Sequence, residues 1–355
     1  MENLKKISLF FFLLFFLYPT TAQEVNLEQV EKNIDYYINY YKLKEPGSII
    51  AIIEKGNVLL SKAYGESVMG EDEMTTNHMF ELAGLSKSIT AAAILKLVDK
   101  NKLKLDNSIS DIFDDFPGYG RMVKIKHLLN HTSGLKNFSE VELSNTDNII
   151  DFLRKQDSTK FEPGTKWSYS NSEYPLLAEI LEEVSGKTFS EFINRYILKK
   201  LSMDSTLFYK DLKKELDVVK GYSYRDGEYY ESKNEQPLFY GERGIYTTIS
   251  DYAKWDKSLY TDRILDCQSL NFMFTTQSST SDNIINFYNC GWVLMKKEDV
   301  RYFWHGTEHK GISNYILHLP DQQLTVFVHT NSNKSNDYLK LLIKVAKQFH
   351  RNLPL

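Results

Sequence analysis

Between Ile89 and Val98 the chain reads ITAAAILKLV, a run in which only Lys96 is charged. As a helix it has no polar face, so it must be enclosed on nearly all sides. An enclosed helix requires packed layers around it, which excludes a small or extended fold and calls for a substantial domain. The composition supplies one: 355 residues, 42% hydrophobic and 25% charged, fit a globular protein with one large or two interlocked cores.

The material for those layers comes from both ends of the chain. Residues 26–43 have helical apolar spacing, and GSIIAIIEKGNVLLSKAYG reads as two β-rich runs joined at Lys55, Gly56 and Asn57, a hairpin signal. Near the other end, CGWVLMKK, VRYFWHG, SNYILHLP and QLTVFVHTN are strand-like, and YLKLLIKVAKQFH closes as an amphipathic helix. The intervening residues, including SEYPLLAEILEEVSG with Gly186 as a helix stop, are mostly helical. The expected fold is α/β: an antiparallel sheet flanked by helices, with a sheet-centred part at about residues 27–90 and 241–355 and a helical insertion at about 91–240. A ligand cleft between the two parts follows from that arrangement.

Lys5 and Lys6 precede an apolar run at residues 7–17, followed by Thr20, Thr21 and Ala22, a small-residue cleavage site. Residues 1–22 are therefore expected to be a signal peptide, with the mature chain starting near Gln23 in a periplasmic or extracellular location. The run is shorter than the roughly 20 residues of a bilayer span, so no stable membrane anchor is expected after cleavage. Formal net charge is −4 with both signs mixed along the chain and no long basic run, which argues against nucleic acid as a partner. Cys267 and Cys290 are the only cysteines and are read as two separate thiols. His127 and His131, like His305 and His309, stand four apart, yet no H-E-x-x-H or supporting carboxylate pattern accompanies them, so neither a metal nor another cofactor is expected. Oligomeric state is left open by the sequence.

Five segments in order resemble the serine β-lactamase and penicillin-binding-protein family, in its class C-like branch: MFELAGLSKSITAAAILKLVDKNKLKLD, IKHLLNHTSGL, FEPGTKWSYSNSEYPLLAEILEEVSG, GERGIYTTISDYAKW and WHGTEHKGISNYILHLPD. The resemblance implies an S-x-x-K motif at the mouth of the central helix, where a three-residue spacing sets serine and lysine on one helical face. Lys87 matches the lysine. Three residues earlier stands Gly84, which has no side chain. Ser86 lies on the opposite helical face from Gly84 and Ser88 one turn deeper, so both are read as packing or backbone-bonding hydroxyls.

The resemblance further implies a Y-x-N motif at Tyr169, Ser170 and Asn171, with Tyr169 as proton shuttle beside Lys87 and Asn171 binding an acyl side-chain amide. It implies an H-x-G motif on the facing strand, matched by His305, Gly306 and Thr307, so that threonine replaces the final glycine. Glu308 follows, where the family's second oxyanion-hole N–H would lie; its acidic side chain is expected to stand poorly beside that hole. Three departures at one site, Gly84, Thr307 and Glu308, favour a pseudoenzyme that holds a peptide or small acyl ligand. The competing reading is an active hydrolase of D-alanyl-D-alanine peptidase, β-lactamase or esterase type that uses a water or a displaced serine.

Overall fold

The structure, a computed structural model, describes residues 25–140, 148–213, 216–232, 238–275, 287–334, 337–350 and 353–354. The expected signal peptide lies outside the described residues. Eight antiparallel strands form one sheet, in the spatial order Asp72–Glu73, Asn57–Val68, Gly47–Glu54, Leu324–Thr330, Ile312–Leu319, Val300–His309, Trp292–Lys297 and Phe287–Asn289. The two chain ends meet in its middle, where Ser48 pairs with Thr330 and Glu54 with Leu324. The expected hairpin turns at Lys55 and Gly56, both at positive φ (52° and 72°).

Strand alternation divides the interior between the two faces of this sheet. Ile49, Ala51 and Ile53 enter the larger core with the central helix, while Ile50 and Ile52 enter a second core under the helices Leu27–Tyr40 and Tyr338–Phe349. The central helix, Ser86–Asp99, is buried continuously from Ser86 to Leu95, as its lack of a polar face requires. Helices Glu173–Ser185, Phe189–Ile193 and Cys267–Met273 pack around it. Burying each of Ile89, Ile94, Leu95 and Leu97 contributes about 1.5–3 kcal/mol, so this helix is a main anchor between the sheet and the helical region. Gly186 ends the helix Glu173–Ser185 in a left-handed conformation, as expected of a glycine stop. Cys267 is exposed and Cys290 buried, both as free thiols. Among the described residues no helix is long and apolar enough to cross a membrane.

The functional region arises where sheet and helix meet. The strand Val300–His309 pairs with Trp292–Lys297 only as far as Trp304, so its last residues, His305 to His309, lie beyond that partner. The turn Ala83–Leu85, which leads into the central helix, packs against this strand.

Candidate functional site

The turn before the central helix is strained and clamped. Ala83 holds φ 47°, a left-handed conformation uncommon for a residue with a β-carbon and costing on the order of 1 kcal/mol. Three strands of the sheet hold it there. Thr307, Asn314 and His329 are cross-strand partners in one row. Asn314 Nδ2 donates to the carbonyls of Glu81 (2.9 Å) and Leu82 (3.2 Å), and its Oδ1 accepts from His329 Nδ1 at 2.8 Å. Burial pushes the His329 imidazole down to about 3, so the ring is neutral and its Nδ1–H serves this bond. Replacing Asn314 by Leu takes a donor from both carbonyls, of which Leu82 keeps the Leu85 N–H at 3.1 Å, and leaves the imidazole N–H without its acceptor. Asn314→Leu is expected to lower unfolding free energy by about 2–3 kcal/mol in urea denaturation, against less than about 1 kcal/mol for a surface asparagine change.

Gly84 sits at the tip of the turn, and its backbone does not require glycine, because its φ lies outside the positive region. The constraint is steric. A β-carbon at Gly84 would stand 2.8 Å from Thr307 Oγ1, 3.1 Å from Thr307 Cβ and 3.2 Å from His305 Nε2. The Gly84 N–H donates to Thr307 Oγ1 at 3.1 Å, so strand and turn are joined through the threonine hydroxyl. His305 Nδ1 donates to the carbonyl of Gly291, leaving Nε2 as an acceptor aimed at Gly84. Gly291 can supply that carbonyl because it has φ 87° and no side chain; a β-carbon would strike the backbone of Ser88 at 2.7 Å. Burial, reinforced by the Lys87 charge, lowers His305 to about 4, so the imidazole is neutral at neutral pH.

Lys87, the second residue of the central helix, has only 2% of its surface exposed. Its ammonium is 5.6 Å from the Tyr169 ring centroid and 5.8 Å from that of Tyr174, and 3.9 Å from Glu242 Oε2. Burial alone would lower the lysine, but Tyr169 and Glu242 outweigh it and hold Lys87 above its ordinary value, so it stays charged. Glu242 is itself raised, by burial first, against the opposing pull of Lys87 and Arg243. Arg243 Nε lies 3.6 Å from Glu242 Oε1, and Arg243 Nη1 meets His309 Nε2 at 2.8 Å. Sequence reasoning did not single out Glu242. The available signal was a charged pair, Glu242-Arg243, between two glycines of the GERG turn.

The Y-x-N residues reach the same place. Tyr169 is 41% exposed and its hydroxyl donates to Asn171 Oδ1 at 2.9 Å, while Asn171 Nδ2 donates to Ser139 Oγ at 3.0 Å. The amide expected to bind ligand is thus occupied by the chain's own hydroxyls. Behind Tyr169, the His131 ring lies 4.5 Å from the tyrosine ring, His131 Nδ1 contacts Glu173 Oε2, and Ser133 donates to Glu173 Oε1. Burial drives Glu173 well above and His131 well below their ordinary values, so the pair is held together without net charge. Neither Glu173 nor Ser133 was anticipated as part of the site's support.

One expectation is corrected. The Glu308 side chain does not stand beside the hole, because strand alternation turns it to the opposite face, where its carboxylate accepts from the Tyr315 hydroxyl at 2.7 Å. Tyr315 in turn stacks on Tyr338 of the closing helix, with ring centroids 4.2 Å apart. Ser88 Oγ donates to the Leu85 carbonyl at 2.9 Å, as expected of a backbone-bonding hydroxyl, and Ser86 is fully buried. His127 Nδ1 accepts from the Lys124 N–H at 3.2 Å, and its ring lies near Gly164. The site therefore brings together Gly84, Lys87, Tyr169, Asn171, His305 and Thr307, and sets the Glu308 carboxylate aside.

A family model described as "Beta-lactamase" matches residues 30–349. Penicillin-binding protein 4* of Bacillus subtilis (strain 168) is 29% identical over 328 residues, covering 85% of this chain and 71% of that protein. Protein flp of Staphylococcus aureus (strain N315) is 27% identical over 329 residues, covering 89% of this chain and 65% of its own length. This chain thus spans about two thirds of the length of these relatives. Among solved structures, the octameric penicillin-binding protein homologue from Pyrococcus abyssi superimposes with a TM-score of 0.78 at 25% identity, over 93% of this chain and 79% of that one. The strained turn, the buried lysine, the Y-x-N tyrosine and the histidine strand meet in one place, and the family model spans nearly all of the chain that builds them: this protein belongs to the beta-lactamase family.

Proposed function

We propose that this protein is an exported member of the family that binds a peptide or small acyl ligand in its cleft without forming an acyl-enzyme. The observation that carries the reading is Gly84: the position three residues before Lys87 has no side chain, and a β-carbon there would stand 2.8 Å from Thr307 Oγ1. Acyl transfer by a family serine needs a hydroxyl at that point, and losing a nucleophile removes several orders of magnitude of rate. The surrounding groups are retained. Lys87 is charged, His305 is neutral, and Tyr169 is accessible, which together place a cation, an acceptor nitrogen and a phenol around Gly84.

The test is calorimetric titration of the natural protein with benzylpenicillin and with N-acetyl-D-alanyl-D-alanine. A saturable heat that is lost in Tyr169→Ala supports the binding reading. Titrations with no heat for either compound sink it. Export is checked separately: mass spectrometry of protein secreted by an expression host is expected to give an N-terminus near Gln23, and recovery of intact Met1 from a membrane fraction would reject a cleaved leader.

A further inference from the structure

Two departures that look independent in the sequence, Gly84 and Thr307, are a single packing event. Without a β-carbon at residue 84, the Thr307 hydroxyl can approach the turn; with that hydroxyl in place, a β-carbon at residue 84 cannot be accommodated unless the threonine moves. The contact made is specific. Thr307 Oγ1 accepts the Gly84 N–H, from the middle residue of a turn that opens directly into the buried central helix. Such an N–H, at the positive end of a long helix, is the natural partner for a carbonyl or carboxylate oxygen of a ligand.

We infer that Thr307 is an internal occupant of this donor position and a specificity-determining residue: its hydroxyl takes the place of a ligand oxygen, so the natural cleft excludes ligands that must put a carbonyl or carboxylate oxygen on the Gly84 N–H. Steric and hydrogen-bonding arguments agree. An incoming oxygen would have to lie near 3 Å from the Gly84 nitrogen, the distance already taken by Thr307 Oγ1 at 3.1 Å. Turning the threonine aside gives up that bond and leaves its β-carbon still beside the turn, 3.1 Å from the point a residue-84 β-carbon would occupy. The same contact argues against Thr307 as a relocated nucleophile, because the N–H that would stabilise an oxyanion is already bonded to the threonine oxygen itself. The selected ligands are those held through Lys87, Tyr169 and the free O–H of Thr307, with an acceptor facing that hydroxyl rather than an oxygen beneath it.

This inference rests on the cleft being a non-acylating ligand site, and its test separates the two. Amide hydrogen exchange by NMR is measured at Gly84 in the natural protein, Thr307→Ser and Thr307→Ala, with no ligand present. Protection at Gly84 is expected to fall at least about 10-fold in Thr307→Ala and to persist in Thr307→Ser, which keeps the hydroxyl; protection is not expected to change at Ile94 in the same helix, which reports on folding. Each form is then titrated with N-acetyl-D-alanine as a carboxylate probe, following the Gly84 amide. Thr307→Ala is expected to bind it at least about 10-fold more tightly than the natural protein or Thr307→Ser. Unchanged protection in Thr307→Ala, equal probe affinity in all three forms, or an acyl or phosphonyl adduct mapped to Thr307 would each overturn the inference. If benzylpenicillin binds the natural protein while the probe affinities are equal, the inference fails and the binding reading stands. If penicillin does not bind yet Thr307→Ala gains the probe, the inference stands and the binding reading fails.

Discussion

Gly84→Ser combined with Thr307→Gly is expected to form a covalent adduct with a fluorophosphonate or with penicillin, which the natural protein is expected not to form. The serine restores a hydroxyl beside Lys87 and within reach of His305 Nε2, since a β-carbon at residue 84 lies 3.2 Å from that nitrogen. Gly84 already has a φ that a side-chain-bearing residue can adopt, so the backbone needs no rearrangement. The second change is required because the new β-carbon would otherwise stand 2.8 Å from Thr307 Oγ1. It also frees the Gly84 N–H that Thr307 now engages, and that N–H becomes available to an oxyanion. Gly84→Ser alone is therefore expected to label slowly, and the double variant about 10²-fold faster, the size associated with one oxyanion-hole donor. Time courses followed by intact mass, with circular dichroism to verify folding, decide the point. Equal rates for the single and double variants would show that Thr307 is no obstacle.

Lys87→Met is expected to destabilise the protein by about 3 kcal/mol. The lysine is buried beside Glu242, a carboxylate itself nearly enclosed, and removing one member of such a pair leaves the other short of compensation. Arg243, 3.6 Å from Glu242, limits the loss. The pH dependence has a defined sign. Because Lys87 is raised in the folded state, its contribution is fully present below the ordinary lysine value of 10.5 and is lost only as pH rises through the higher folded value. The difference between natural protein and Lys87→Met should accordingly stay constant from neutral pH to about 10 and shrink only in stronger alkali. Replacing both partners, Lys87→Met with Glu242→Leu, should cost less than the sum of the single changes, by about 1–3 kcal/mol in a urea-based double-mutant cycle. A neutral or stabilising Lys87→Met would mean that the lysine is kept for chemistry at the expense of stability.

Much of this was legible in the sequence, for reasons that differ by element. The central helix was readable because ITAAAILKLV has no polar face, and the end-to-end sheet because its strands are bounded by turn residues such as Lys55-Gly56. Gly84, Lys87, Tyr169 and His305 could be placed through ordered motifs, and the fold brings them together. The direction of Glu308 was also available: His305 and Thr307 share a strand face, so the residue after Thr307 must point away, a consequence of period-two alternation that the expectation overlooked. Other features had no local signal. The Thr307-Asn314-His329 row exists only through the register of three strands, and the Glu242–Lys87 pair joins residues 155 positions apart. The contact between Thr307 and the Gly84 N–H is of the same kind: two separate departures become one feature only when the turn is packed on the strand.

The central claim, that the natural site does not acylate, is tested most directly by intact mass spectrometry of the purified natural protein after prolonged incubation with a fluorophosphonate and, separately, with benzylpenicillin, with the Gly84→Ser/Thr307→Gly variant treated alongside. The account predicts an unchanged mass for the natural protein and a single added adduct, mapped to residue 84, for the variant. A stoichiometric adduct on the natural protein, at a rate equal to that of the variant, would contradict it.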